Sequence, residues 1–174
     1  MIRDFNLLGT TSRGFGRAAR SELRFLLEQI GDSATIVDKS GVAGLVVART
    51  VLDPFEAVKK LREILIERPY EFRYLFRVIP IEKVVRTDLA EIENVATEFS
   101  SRIRENETFR VTVEKRFTSL HTSDLIEAVA KNIKRRVNLE KPDKIVLLEV
   151  VGGLTGISLL APNDILSVLK EKVL

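Results

Sequence analysis

The feature that most restricts the fold is a connection of only three residues between two strand-like segments. Residues 34–38 and 42–48 both have the composition of β-strands, and only Lys39-Ser40-Gly41 lies between them. Such a short connection cannot cross a sheet to begin a parallel strand, so we expect an antiparallel hairpin. The first half of the chain therefore cannot be an all-parallel sheet with helical crossovers.

Helical patterns flank this hairpin on both sides. One helix is predicted over residues 16–30 and another over 53–67, where Asp53-Pro54 is typical of a helix start. With further strands predicted at 5–9 and 73–79, the order of elements is β-α-β-β-α-β. This is the order of the ferredoxin-like fold, which we predict for residues 1–80.

A second domain is predicted for residues 81–174, after a boundary at Pro80. Alternating and near-continuous apolar patterns give it the order α-β-α-β-β-α. Its predicted elements lie at 87–103, 108–113, 122–137, 144–151, 155–160 and from 163 onward. The expected fold class is α/β (α+β), a ferredoxin-like βαββαβ domain followed by a second α/β domain.

Composition excludes several classes of site. The chain has no cysteine and one histidine, so neither a thiolate site nor a histidine-rich metal cluster can form. The sequence has no nucleophile elbow, no P-loop and no carboxylate cluster with a placed base. We therefore expect a protein that is not an enzyme and that needs neither cofactor nor metal.

Localisation and source are also suggested by composition. No apolar run approaches the roughly 18 residues of a membrane helix, and the first residues lack the apolar core of a signal peptide. These features predict a cytoplasmic protein without a membrane partner. One glutamine and 30% charged residues are typical of a thermophile.

Charge is sorted along the chain although the net charge is only +3. Residues 88–107 carry six acids against two bases, whereas residues 110–136 carry seven bases against three acids. Near the N-terminus, Arg13, Arg17 and Arg20 occur close together. Local basic surfaces of this kind attract polyanions even where the total charge does not.

The segment Gly14-Phe-Gly16-Arg-Ala-Ala19 fits the glycine pattern of dinucleotide-binding folds. The antiparallel hairpin argues strongly against that interpretation, because such folds need a helix after their second strand. Two interpretations of Gly14–Arg17 remain open. Either this segment binds a single phosphate, or the glycines only turn the chain into the helix. Arg17 and Arg20 are likewise either an anion-binding stripe or a solvated helix side.

A denser group of donors runs from Lys115 to Ser123. Two cations end a strand, and a hydroxyl-rich loop with His121 leads to a helix start. Phosphate and ribose oxygens need such donors, and Phe117 or His121 is able to stack an unpaired base. In the alternative interpretation Ser123 caps the helix, His121 satisfies a loop carbonyl and Phe117 belongs to the core.

The helix that follows presents three further cations. Lys131, Lys134 and Arg135 are candidates for contacts to phosphate. An ion pair with Glu127 one turn earlier, or a solvated surface, is the alternative for these side chains.

The chain resembles a known family of RNA-binding modules. The segments that carry the likeness are strand 108–113 with Lys115-Arg116, the capped helix from Ser123, Lys141-Pro142-Asp143 and strand 145–151. They resemble a THUMP domain, a module of tRNA thiouridine synthases, methyltransferases and pseudouridine synthases. Residues 10–23 resemble the ferredoxin-like domain that precedes THUMP in those enzymes.

The resemblance implies binding to the acceptor arm of tRNA and to its single-stranded CCA end. It places RNA contacts at Lys115, Arg116 and Ser123. The chemistry of the side chains adds the remaining candidates, which are Arg13, Arg17, Arg20, Thr118, His121, Thr122, Lys131, Lys134 and Arg135.

The chain is most similar to stand-alone THUMP proteins that act as adaptors for the tRNA acetyltransferase making 4-acetylcytidine. A partner acetyltransferase is therefore expected. The alternatives are the RNA-recognition portion of a larger methyltransferase or thiouridine synthase, and a small-molecule regulator that binds a metabolite at Gly14–Gly16.

Overall fold

The computed structural model describes residues 1–172, which form two compact units. The first unit comprises residues 1–81 and the chain from Asp164, and the second comprises residues 82–163. In chain order the elements are β1 (Leu7–Thr10), α1 (Gly16–Gln29), β2 (Ile36–Lys39), β3 (Leu45–Arg49), α2 (Pro54–Glu67), a short 3-10 helix (Pro69–Glu71), β4 (Arg77–Pro80), β5 (Lys83–Arg86), α3 (Leu89–Ser100), β6 (Thr108–Arg116), α4 (Thr122–Ala130), β7 (Arg136–Val137), β8 (Lys144–Val151), β9 (Leu154–Leu160), β10 (Leu166–Ser167) and α5 (Val168–Glu171).

The first unit has the predicted ferredoxin-like order. Its sheet runs β10-β4-β1-β3-β2, and every neighbouring pair is antiparallel. The apolar stripes of α1 and α2 pack on one face of this sheet around Leu23, Leu61 and Val46. Asp53 accepts hydrogen bonds from the amides of Phe55 and Glu56, so α2 begins with the predicted side-chain cap.

The second unit has a mixed sheet in the order β5-β9-β8-β6-β7. Strands β6, β7 and β8 are parallel, and β9 and β5 run antiparallel to their neighbours. Helices α3 and α4 cover one face with Ile92, Phe99, Leu125 and Val129. The fold is thus α/β with two sheets, as the sequence predicts.

The C-terminal segment does not pack with the second unit, to which the sequence assigned it. Leu166 pairs with Val78 in the first sheet, and the amide of Val168 donates to the Phe76 carbonyl at 2.8 Å. The Arg62 Nε–Glu171 Oε1 ion pair, at 2.6 Å, joins α2 to α5. The predicted terminal helix is therefore mainly a short strand and a four-residue helix, and residues 173–174 lie outside the described part of the chain.

Two further differences lie in the second unit. The predicted helix 122–137 ends at Ala130, and Arg136–Val137 instead form strand β7 beside β6. Strand β5 lies just after the predicted boundary at Pro80, where the sequence predicts no element. Of the helices within residues 1–172, none combines the length and the apolar run that crossing a bilayer requires.

Candidate nucleic-acid interface

Three connections meet at one edge of the second sheet. Strands β6 and β8 are parallel, so their carboxyl ends lie together, and ligands of α/β sheets bind outside such ends. The amide of Gly152, in the β8–β9 turn, donates to the Arg116 carbonyl at 2.8 Å. Thr87, after β5, donates its amide to the Gly153 carbonyl at 2.9 Å. This carboxyl-end edge therefore brings together the segment after β6, the β8–β9 turn and the start of α3.

Arg116 is committed to a buried partner at this edge. Its Nη1 lies 2.6 Å from Glu149 Oε2, and the Glu149 side chain is 0% exposed while that of Arg116 is 22% exposed. A buried carboxylate needs such a partner, because its desolvation is otherwise costly. The structure thus places Arg116, a predicted RNA contact, in an ion pair that fixes β6 against β8.

Lys115 is exposed and turns toward the loop that follows it. We define the β6–α4 loop as residues 117–121. The Lys115 Nζ donates to the Leu120 carbonyl at 3.0 Å, and Thr118 Oγ1 accepts from the Leu120 amide at 3.2 Å. An ammonium group has further donors available, so Lys115 is able to hold the loop and an anion together.

Phe117 is the most unusual residue of this loop. It has a φ of +54°, the left-handed conformation that a bulky side chain rarely adopts, and its side chain is 79% exposed. The structure therefore excludes the alternative that Phe117 belongs to the core. Backbone strain of this kind costs free energy and is concentrated at functional sites.

Helix α4 begins at the carboxyl-end edge with free donors. His121 is its N-cap residue and makes no side-chain capping bond, so Ser123 is not the cap that the alternative interpretation requires. The His121 carbonyl accepts from the amides of Asp124 and Leu125. Within residues 1–172 the amides of Thr122 and Ser123 have no acceptor, and both residues are exposed. Asp124, also exposed, is the one acid of this first turn.

The cations after α4 divide into two groups. Lys131 lies 3.4 Å from Glu93 on α3, and Arg135 Nε donates to the carbonyls of Ile103 and Arg104 at 3.0 Å each. The predicted pairing of Lys131 with Glu127 within one helix is replaced by this pairing across helices. Lys134 is exposed, and no acceptor for its side chain occurs in residues 1–172.

The remaining candidates lie in the first unit, around the start of α1. We define the β1–α1 loop as residues 11–15. Arg13 and Arg17 are exposed and Arg20 is half-buried, and in the described chain none of them has a carboxylate partner. Gly14 has a φ of +88°, so it serves the turn into the helix. The antiparallel pairing of β2 with β3 excludes a dinucleotide-binding fold here.

Two carboxyl groups with lowered pKa values lie at the opposite end of β6, its amino end. Hydrogen bonds from the Thr108 amide and hydroxyl hold the pKa of Asp143 below its usual value. The Lys144 ammonium, followed by the Arg104 amide, similarly lowers the pKa of Glu107. These contacts anchor the amino ends of β6 and β8 and do not belong to the carboxyl-end edge.

Sequence reasoning missed two features of the site. It named Phe117 as a possible stacking residue without choosing it, because a positive φ has no reliable signal in a single sequence. It also missed the role of Arg116, whose partner lies 33 residues away. The apolar composition around Glu149 was the available signal, since a carboxylate inside a buried strand requires a cation.

A family model matches part of the second unit. It is the model of the THUMP domain, and the match covers residues 86–160. The uncharacterised protein MJ0421 of Methanocaldococcus jannaschii is 27% identical over 167 residues, which are 93% of this chain and 42% of that protein. The chain thus spans less than half the length of this relative.

Three solved structures share the fold. PH1313 from Pyrococcus horikoshii Ot3 has a TM-score of 0.65 at 16% identity, covering 90% of this chain and 54% of its own. TrmN from Thermus thermophilus has a TM-score of 0.55 at 13% identity, covering 88% and 44%. A 4-thiouridine synthetase, solved as an RNA complex with bound ATP, has a TM-score of 0.53 at 17% identity, covering 90% and 42%. Such identities show a shared fold alone.

Proposed function

We propose that this THUMP-containing chain binds tRNA, and that the carboxyl-end edge of the second sheet holds the single-stranded CCA end. The observation that carries the proposal is Phe117, exposed and held in a left-handed backbone beside Lys115 and the start of α4. Sequence-specific RNA recognition targets unstacked bases, which stack on aromatic side chains. An exposed, strained phenylalanine without a role in the core fits that task.

The neighbouring groups suit the phosphates of such a strand. The amides of Thr122 and Ser123 and their hydroxyls are donors without acceptors in the described chain, and donors of this kind bind phosphate oxygens. Lys115 adds a positive charge at the same edge. The negative charge of Asp124 repels an anion. The RNA strand is therefore expected to approach from the side of Lys115 and the β6–α4 loop.

Substitution of Lys115 by alanine tests this assignment. Lys115→Ala is expected to weaken tRNA binding about three- to tenfold and to lower the salt slope of log affinity by about one unit, because one phosphate contact is lost. Lys141→Ala is the matched control, since Lys141 is exposed in the same unit at the amino end of β8. Equal losses in both variants, or no loss in Lys115→Ala, would contradict the assignment.

We further propose that the chain acts without catalysis, as an adaptor for an acetyltransferase that forms 4-acetylcytidine in tRNA. Reconstitution tests this: the chain should stimulate acetylation of tRNA by that enzyme and produce none with acetyl-CoA alone. Unchanged acetylation in the presence of the chain would exclude the adaptor role.

A second candidate is that the chain is the RNA-recognition portion of a larger methyltransferase or thiouridine synthase. Its support is the coverage of only 42% of MJ0421 and the presence of the fold in TrmN and in a 4-thiouridine synthetase. A reading frame that continues past Leu174 into a catalytic domain would favour this candidate over the adaptor.

A further inference from the structure

An aromatic pair lies on the surface of the first unit, at the end of the β1–α1 loop. The rings of Phe15 and Tyr74 are stacked with centroids 5.6 Å apart and planes inclined by 27°. Tyr74 is half-buried and packs against the core of the first unit, whereas Phe15 is 48% exposed. Phe15 is therefore an outer ring supported from behind by a second ring.

Several hydrogen bonds hold the backbone on both sides of Tyr74. The Glu22 carboxylate accepts from the amides of Arg73, Tyr74 and Leu75 at distances of 2.7–3.2 Å. Thr11 Oγ1 donates to the Tyr74 carbonyl at 2.8 Å. The backbone that carries Tyr74 is thus tied both to α1 and to the β1–α1 loop. Phe15 therefore stacks on a ring whose backbone is fixed, and a platform preorganised in this way loses little entropy when a ligand binds.

The charges around the pair favour an anionic ligand. Arg13, Arg17 and Arg73 are exposed, Arg20 is half-buried, and no carboxylate pairs with any of them within residues 1–172. The first turn of α1 contains no acid. Two carboxylates lie close to the pair in sequence. Glu22 is engaged by the three backbone amides, and Glu71 lies 3.9 Å from Arg68 Nε. Aromatic rings interleaved with cations are the usual surface for single-stranded nucleic acid.

We propose that the Phe15–Tyr74 pair is a second stacking site, which takes one unpaired nucleobase of the bound RNA while the flanking phosphates contact Arg13, Arg17 and Arg73. The proposal rests on RNA binding as the function of the chain, and it concerns a site separate from the β6–α4 loop. The ligand is a base within an RNA strand, not a free nucleotide.

Tyrosine fluorescence reports directly on this site. The chain has two tyrosines and no tryptophan, so the variant Tyr70→Phe leaves Tyr74 as its single emitter. Titration with tRNA is expected to quench Tyr74 emission at the concentration at which tRNA binds in a gel shift. The variant Tyr74→Phe, which keeps the aromatic pair and leaves Tyr70 as emitter, corrects for light absorbed by the RNA. Quenching that is equal in both variants would overturn the proposal.

Affinity provides the second measurement. Phe15→Ala and Phe15→Leu are expected to weaken tRNA binding at least about fivefold, since one base loses its ring, and Phe15→Trp should retain affinity. Phe25→Ala is the matched control, because Phe25 is also exposed on α1 but has no ring partner in the described chain. Full affinity in Phe15→Leu would overturn the second site.

These results separate the second site from the proposed function. If tRNA binds and responds to Lys115→Ala while Tyr74 emission and Phe15→Leu show no effect, RNA binding stands and the second site is overturned. If tRNA does not bind at all, both the proposed function and the second stacking site are overturned. Quenching of Tyr74 by CMP or AMP without quenching by tRNA would show a small-molecule site and overturn the proposal as well.

Discussion

The β1–α1 loop and the β6–α4 loop perform the same local task in different ways. Each leads from a strand to a helix without a side-chain cap, passes through one residue of positive φ and presents an exposed phenylalanine. In the first loop Gly14 takes the left-handed conformation and Phe15 stacks on Tyr74. In the second loop Phe117 is both the residue with a positive φ and the exposed phenylalanine. The comparison shows that the β6–α4 loop retains strain where the other avoids it.

The strands before the two loops differ in how their ends are fixed. The end of β6 is fixed by the buried Arg116–Glu149 pair and by the hydrogen bond from Gly152 to the Arg116 carbonyl. The end of β1 relies on backbone pairing and on Thr11, whose amide donates to the Gly44 carbonyl at 2.9 Å. A strained loop needs surroundings that determine its shape, and the buried ion pair supplies them for the β6–α4 loop.

The largest effect is expected from breaking this ion pair. Arg116→Ala removes an ion-pair partner of the buried Glu149 carboxylate and should lower the free energy of unfolding of the second unit by about 3 kcal/mol. Denaturant melts of the purified variant measure this. Arg13→Ala, which removes an exposed arginine beside the other loop, should change stability by less than about 0.5 kcal/mol. A fully stable Arg116→Ala variant that no longer binds tRNA would contradict this structural role and would support the predicted RNA contact of Arg116.

The next effect separates binding from folding at the β6–α4 loop. Phe117→Gly removes both the strain and the ring, so stability should stay within about 1 kcal/mol of the parent protein. The free energy of tRNA binding should become less favourable by roughly 1–3 kcal/mol, because one base loses its stacking partner. Filter binding and thermal melts of the same preparation measure both. Leu139→Ala, an exposed apolar residue of the same unit, should leave the affinity unchanged.

A smaller effect is expected when strain is introduced into the other loop. Gly14→Ala has room for its Cβ but forces a residue with a side chain to a φ of +88°, which should destabilise the first unit by about 1–2 kcal/mol. Thermal melts measure the loss. Gly16→Ala is the control, because Gly16 has open space and no positive φ. Equal stability of the two variants would show that the left-handed turn is not required.

The sequence predicts the fold well where the signals are local. The hairpin is antiparallel as predicted, although its strands are joined by residues 40–44 and not by 39–41. The Asp53-Pro54 helix start and the apolar strands 144–151 and 155–160 lie close to the observed elements. Helix α4 shows the limit of such patterns. Its i, i+4 apolar repeat continues to Val137, yet the chain leaves the helix after Ala130 and forms β7 against Thr108 and Phe109. A contact so distant in sequence overrides the local preference.

The site depends even more on distant contacts. The sequence predicts Lys115 from its type at a strand end, and Thr122 and Ser123 from their types at a helix start. These are local features. The partners of Arg116, Lys131 and Arg135 are Glu149, Glu93 and two carbonyls near the end of α3, and these come together only in the folded unit. Residue type therefore identifies a cation, but only the fold decides whether that cation is free to meet RNA.

The central claim is that the β6–α4 loop and the start of α4 hold the single-stranded end of tRNA. A gel shift that compares intact tRNA with the same tRNA lacking its CCA end tests the claim directly. We expect the truncated tRNA to bind at least about tenfold more weakly than intact tRNA, and Phe117→Gly to lose most of that difference. Equal affinity of the parent protein for the two RNAs would contradict it.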